Sequence, residues 1–239
     1  MDLKEVDILG GNIGKHWYYQ SKAKALSNLI SGLNSKKILD IGSGSAFFSR
    51  YILDHSDANE AWCIDISYLS ESDESRAGKT LHYRKSIHEA NEIELVLLMD
   101  VLEHIEDDLT FLSHYVSMVP AGTAFLISVP AFQWLWSSHD EYLEHQRRYT
   151  LSEVEKLAKM AGLEINLGCY FFGLVLPIAA VVRLFERCLK PSSGQLKSSM
   201  KSHSPLVNFS LKMICSLECT LLRHNRLAGL SVFCLARKP

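Results

Sequence analysis

The segment KKILDIGSGSAFFSRYIL at 36–53 constrains the fold more than any other part of the chain. Ile38, Leu39 and Ile41 form a short apolar run bounded by lysines and glycines, the pattern of a strand covered on both faces of a parallel sheet. Gly42 and Gly44 permit positive φ and close approach of the backbone to a ligand, and Phe47, Phe48, Tyr51 and Ile52 supply the apolar face of a following helix. Strand, glycine turn and helix together frame a nucleotide-sized pocket. A dinucleotide fingerprint G-x-G-x-x-G would place its third glycine at Phe47, and a phenyl ring there argues against a bound pyrophosphate. Asp40, two residues ahead of Gly42, instead suits a ligand that presents an amine near the turn.

Three further apolar runs repeat the arrangement. EAWCIDIS at 60–67 reads as a strand ending in Asp65 and Ile66, about 20 residues past the glycine turn, where a Rossmann-like fold offers a carboxylate to ribose hydroxyls. IELVLLMDVLEHIEDD at 93–108 is a third run closed by acids, and GTAFLISVP at 122–130 a fourth. Strands alternating with helical stretches predict a parallel sheet that binds ligands at the carboxyl ends of its strands, where Asp40, Asp65 and Asp100 fall.

DIGSGSAFF resembles the first motif of class I S-adenosylmethionine (SAM) dependent methyltransferases, in which the acid and the glycine loop hold the methionine part of SAM. Members often carry glycine where this chain has Ala46. The resemblance implies an α/β, Rossmann-like seven-stranded sheet, mostly parallel with an antiparallel last strand, and a product S-adenosylhomocysteine. It implies cofactor contacts from Asp40, Gly42, Ser43, Gly44, Asp65, Ile66, Met99, Asp100, Val101 and His104, with Ser86 of YRKSIHE in the neighbourhood of the adenine amine. MDVLEHIEDD, the later VPAFQWLWSSHDEYLEHQRRYTLSEVEKLAKMAGLEI and the opening HWYYQSKAKAL look like the ubiquinone-biosynthesis-like branch and its bacterial relatives, over residues 16–172.

Methyl transfer to a hydroxyl needs alignment and a base. The loop after the VP strand end offers His139 beside Asp140, and His145, as candidates, histidine being the side chain best placed to take a proton near neutral pH. Trp134 and Trp136 are candidate walls of an acceptor site, and His145, Arg147 and Arg148 could equally form a polar lid bonded to helix ends. Asp100, Glu103 and His104 are similar to the E-x-x-E-H pattern that looks metal-binding in ubiquinone-type O-methyltransferases, which would imply Mg²⁺. The preferred reading has no metal, with His104 over the cofactor pocket or capping a helix and Glu103 solvated. Trp17 and Leu26 are expected to anchor an N-terminal helix over the pocket, with His16, Tyr18 and Tyr19 packing there or closing on SAM.

Charge is split along the chain. Residues 1–172 carry 15 Lys/Arg against 25 Asp/Glu, whereas 173–239 carry 10 against 2. LEINLGCYFF at 163–172 and LSVFCLARK at 230–238 are the expected final hairpin, yet 57 residues separate them where hairpin loops run to about five. The expected organisation is therefore a helical cap at 1–35, a SAM-binding domain from 36–172 and 230–239, and a basic, apolar helical insertion at 173–229. Leu206, Phe209, Met213, Leu217 and Leu221 recur at spacings of three and four and mark one face of a helix. The apolar run from Cys169 to Val182 is too short to span a bilayer and contains Pro177. Arg183, Arg187, Lys190, Lys197 and Lys201 behind it suit an anionic membrane surface or an anionic amphiphile.

Six cysteines without C-x-x-C pairing and an opening MDLKEVDILGG without a leader pattern predict a cytoplasmic protein, peripheral on the inner face of the membrane if the insertion binds lipid. No nucleic-acid module is visible. The expected activity is O-methylation of a small or lipid-like acceptor; a non-catalytic SAM-binding module and a protein methyltransferase are the alternatives.

Overall fold

The computed structural model describes residues 10–188 and 204–239. Helix α1 (Trp17–Ile30) precedes strand β1 (Lys37–Ile41), α2 (Phe47–His55) and β2 (Glu60–Ile64). A hairpin of β3 (Ser72–Arg76) and β4 (Lys79–Arg84) follows, then β5 (Leu95–Met99), a short 3-10 turn (Leu102–His104), α3 (Asp108–Met118) and β6 (Ala124–Pro130). The chain continues through α4 (Ser138–Tyr142), α5 (Leu151–Met160), β7 (Glu164–Phe171), α6 (Leu176–Cys188), α7 (Pro205–Glu218) and β8 (Ser231–Arg237).

The eight strands form one sheet in the order β3-β4-β2-β1-β5-β6-β8-β7. Strands β4, β2, β1, β5 and β6 run parallel, and β8 is antiparallel to both β6 and β7. The order reverses at β1, which has β2 on one side and β5 on the other, and such a reversal opens a ligand crevice at the carboxyl ends. The expected sheet had seven strands. The additional one is β3, whose sequence SDESR has no apolar alternation to betray it. It exists because Ala77 and Gly78 both take positive φ, the turn geometry that pairs it antiparallel with β4.

Strand periodicity sorts the core into two layers. Along β5, Val96 and Leu98 pack with Leu112 and Val116 of α3 and Val154 and Leu157 of α5, while Leu95, Leu97 and Met99 face α1, α2 and α7. Asp40 shares the second face with Ile38 and is turned toward α2, where the Ser49 hydroxyl donates to it at 2.6 Å. Local signals set the helix starts: Thr150 and Glu153 form a reciprocal capping box on α5, and Asp107 caps α3 through the Thr110 amide. Leu26 is fully buried under α1, and Trp17 meets Phe172 edge-on at 5.6 Å, so α1 is anchored as expected. The polar stretch between α6 and α7, including Lys190, Lys197 and Lys201, lies outside the described residues. The five described cysteines, Cys63, Cys169, Cys215, Cys219 and Cys234, are free and buried.

Candidate functional site

Gly42, Gly44 and Ala46 all take positive φ, so the turn after β1 curls tightly before α2 begins. The Gly42 and Ser43 amides donate to the Ile64 carbonyl at 2.7 and 3.1 Å, locking the loop to the end of β2. Asp65 is buried, and its two carboxylate oxygens accept the Gly44 and Ser67 amides, each at 2.9 Å. Through these two bonds Asp65 organises the loop, tying the glycine turn to the end of β2. Tyr68, which sequence reasoning did not single out, closes the arrangement: its hydroxyl lies 2.8 Å from Ser43 Oγ and 2.8 Å from the Gly44 carbonyl oxygen. Burial pushes the Tyr68 hydroxyl far above the ordinary tyrosine range, so it stays protonated and able to donate. Ile66 and Ser86 are both exposed, just beyond the neighbouring strands β2 and β4, on one rim of the crevice.

Across the reversal point, Met99 and Val101 are buried and flank Asp100, which has positive φ. Asp100 receives an ion pair and hydrogen bond from Nζ of Lys22, a lysine with no exposed side-chain surface. Lys22 Nζ is also 3.2 Å from the Tyr18 hydroxyl, and 5.3 and 5.8 Å from the Tyr18 and Phe233 ring centres. Burial opposes charge on Lys22, but Asp100 and Tyr18 outweigh it and hold the ammonium above the usual lysine range. Sequence reasoning passed over Lys22. The signal was its helical spacing with Leu26 and Leu29, both buried, which places a cation on the inward face of α1.

The loop between β6 and α5 is pinned over the ends of β5 and β6. Phe132 donates its amide to Tyr149, Gln146 donates its amide to the Glu103 carbonyl at 2.6 Å, and the Tyr149 hydroxyl reaches the Leu102 carbonyl and Asp108. Asp140 is the hub of this loop. It is fully buried and accepts from the Ser137 amide and hydroxyl, from Arg148 Nε at 2.7 Å and a terminal nitrogen at 2.9 Å, and pairs with His145 Nδ1 at 2.9 Å. Burial would raise the Asp140 carboxyl, but bonds from His145 and Arg148 outweigh it and hold it well below the usual carboxylate range. The Asp140 carboxylate can only accept, so the hydrogen of this bond is carried by His145 Nδ1. His139 is half-buried at the start of α4. Phe132 and Trp134 stack with ring centres 5.7 Å apart, and Trp134 is half exposed.

Glu103 is fully buried rather than solvated, because the turn that follows Asp100 directs it inward. Burial and the neighbouring Asp100 carboxylate push its carboxyl well above the ordinary range. One donor atom each of Glu103, His104 and His145 lies within 4.8 Å of the others, and the two imidazoles meet edge-on at 4.7 Å. Asp100, the first acid of the E-x-x-E-H-like pattern, is not part of this group and pairs with Lys22. Two imidazoles and one carboxylate do not fit magnesium, which takes oxygen ligands.

The family described as "Methyltransferase domain" matches residues 15–167. No curated protein matches the chain significantly. Among solved structures, the chain is similar to one from the complex of the Haloferax volcanii Trm112 methyltransferase activator with a methyltransferase (TM-score 0.57, 15% identity, 96% of this chain and 92% of that one). It is also similar to a SAM-dependent methyltransferase from Archaeoglobus fulgidus (TM-score 0.54, 14% identity, covering 99% and 98%). A third is phosphoethanolamine N-methyltransferase 2 of Haemonchus contortus, solved with phosphomonomethylethanolamine and S-adenosylhomocysteine (TM-score 0.52, 17% identity, covering 90% and 53%). The glycine loop, the buried Asp65 that organises it and Asp100 across the crevice fit an adenosyl sulfonium ligand, and with a family match over most of the chain the conclusion is direct: the protein belongs to the methyltransferase-domain family and is a SAM-dependent methyltransferase.

Proposed function

We propose that the protein methylates an oxygen of a small or lipid-like acceptor, within the ubiquinone-biosynthesis-like branch of its family. The observation that carries this reading is the His145–Asp140 pair, an imidazole oriented by a buried carboxylate on the loop that borders the cofactor crevice. Oriented in this way, His145 Nε2 is suited to take the proton of an acceptor hydroxyl; His139 is the other candidate on the same loop. SAM, when bound, supplies an electrophilic methyl group and leaves as S-adenosylhomocysteine. The residues of this chain do the rest. Asp40, Asp65 and the glycine loop fix one end of the crevice, with Ile66 and Ser86 on the adenine-side rim. Met99, Asp100, Val101 and His104 border the other end. In this reading residues 1–35 cap the pocket, 36–172 with 230–239 hold the cofactor, and 173–229 serve the acceptor.

Titration calorimetry with SAM and S-adenosylhomocysteine on wild type and Asp65→Ala comes first. Binding that weakens at least tenfold in the variant supports the cofactor geometry. Labelled methyl transfer to phenol, quinol, lipid and protein acceptors then decides the acceptor. Product methylated on oxygen, with kcat reduced at least 100-fold in His145→Gln at unchanged cofactor affinity, is the expected result. Methylation on nitrogen or on protein, or tight cofactor binding with no transfer to any acceptor, overturns it.

A further inference from the structure

The apolar stripe of α7 faces away from the protein. Leu206, Phe209, Met213 and Leu217 are 55–75% exposed, and Leu221, just past the end of the helix, is 68% exposed. The inward side of the helix instead carries Cys215, Glu218 and Cys219, all buried. Polar bonds pin this orientation. Asn208 accepts the Trp17 amide at 2.8 Å and donates to the Lys15 carbonyl at 3.0 Å, and Glu218 accepts the Gly173 and Leu174 amides. Rolling the helix to bury its stripe would break all four. A second apolar face lies on α6, where Ile178, Val181, Val182 and Phe185 are 50–62% exposed. Isolated exposed hydrophobics are ordinary, but two helices that each turn a full stripe outward mark an interaction surface.

From this arrangement we infer that α6 and α7 form a docking surface for an anionic lipid bilayer. Charge selects the occupant. α6, α7 and the turn that follows carry Arg183, Arg187, Lys212 and Arg223 against Glu186 and the buried Glu218, in contrast to the acidic residues 1–172. A basic, apolar surface is complementary to a layer of anionic headgroups over acyl chains. A second copy of the chain would bring the same positive charge against itself. Length selects the mode. The helices have 13 and 14 residues against the roughly 20 needed to cross a bilayer, and no helix among the described residues is long and apolar enough to do so, so they lie along the interface. The surface is continuous with the candidate site. Arg183 of α6 donates to the Leu135 carbonyl at 2.6 Å on the loop that carries His139 and His145, and Phe172 at the root of α6 stacks on Tyr18, the partner of Lys22. Resting on the reading of a lipid-like acceptor, this placement sets the docking surface beside the loop that would receive such a molecule.

The test is co-sedimentation of the full chain with phosphatidylcholine vesicles containing or lacking 30% phosphatidylglycerol, as a 30:70 mixture of lipids made for the purpose (on the order of physiological anionic content). Wild type should bind the anionic vesicles, weaken at least tenfold when ionic strength is raised, and lose at least tenfold in affinity in Phe209→Ser/Leu217→Ser. Both side chains are exposed, so the variant should unfold like wild type and bind S-adenosylhomocysteine equally well. Absence of vesicle binding by a protein that still binds S-adenosylhomocysteine overturns the inference. So does a dimer in sedimentation equilibrium that the same double substitution dissolves, since the face would then belong to a second copy. Vesicle binding without methyl transfer to any lipid-soluble acceptor keeps the docking surface and removes the acceptor reading.

Discussion

Lys22, with no exposed side-chain surface in α1, is ion-paired with the carboxylate of Asp100 at the carboxyl end of β5, joining the N-terminal helix to the strand end that borders the cofactor crevice. Removing one member of a buried pair leaves a charge without compensation, at a cost of about 3–5 kcal/mol, and the partial exposure of Asp100 puts Lys22→Met at the low end. Lys22→Met and Asp100→Asn are each expected to destabilise, and the double variant to lose less than their sum, with a coupling of about 1–3 kcal/mol in urea unfolding. Because the folded pKa of Lys22 is raised, this contribution is complete below the ordinary lysine value and lost only as pH climbs past it, so the coupling should be constant between pH 6 and about 9. Additive losses would show that the pair does not hold α1 in place.

Asp140 is predicted to be the most sensitive polar position of the loop. Asp140→Asn leaves the buried Arg148 without its carboxylate and should cost about 3 kcal/mol at pH 7, roughly 6–12 °C in Tm for a chain of this size. The folded carboxyl is depressed, so its contribution is present above the unfolded value near pH 4 and lost as pH falls through the lower folded value. The gap between wild type and variant should therefore persist at pH 5 and shrink only in stronger acid. A gap already gone at pH 5 would mean that the carboxylate is not held by His145 and Arg148.

Glu103 behaves in the opposite sense. Its carboxyl is raised by burial, so above about pH 4.3 the unfolded chain releases a proton that the folded chain keeps, and wild-type stability falls with rising pH until Glu103 itself ionises. Glu103→Gln removes this slope. Its stability relative to wild type should grow by up to about 1.4 kcal/mol per pH unit above pH 4.5, measured by urea unfolding across pH 4.5–7. A constant difference would show Glu103 charged in the folded state.

Two glycines near the root of α6 should respond unequally to alanine. A Cβ at Gly229 would stand 2.2 Å from the Phe171 carbonyl oxygen and 2.9 Å from that residue's backbone carbon and nitrogen, so β7 itself must move. A cost of about 1–3 kcal/mol is expected for Gly229→Ala in thermal unfolding. At Gly168 the nearest atom is the end of the Glu155 side chain, which can swing away from Arg226, so Gly168→Ala should cost less. Equal losses would contradict the contact at Phe171.

Strands β1, β2, β5 and β6 were legible because burial on both faces makes their runs predominantly hydrophobic between their turns. β3 was not, since SDESR pairs through backbone on a sheet edge and its side chains face water. In the site, Asp40, Asp65 and Asp100 were locatable because they end apolar runs. Lys22 and Tyr68 were obscure because each acts across 78 and 24 residues of chain, on Asp100 and on the Gly44 carbonyl.

The sequence by itself determined the alternating α/β order, the glycine turn, the acids at the strand ends and the charge difference between the two parts of the chain, all of which follow from local pattern and composition. Only the tertiary structure decided that Lys22 pairs with Asp100, that Asp140 serves His145 and Arg148 together, that Glu103 is buried, and that the apolar stripe of α7 points outward. A hydrophobic period reports that a helix has an apolar face, whereas the direction of that face is set by distant partners, here the bonds of Asn208 to the start of α1 and of Glu218 to the amides after β7.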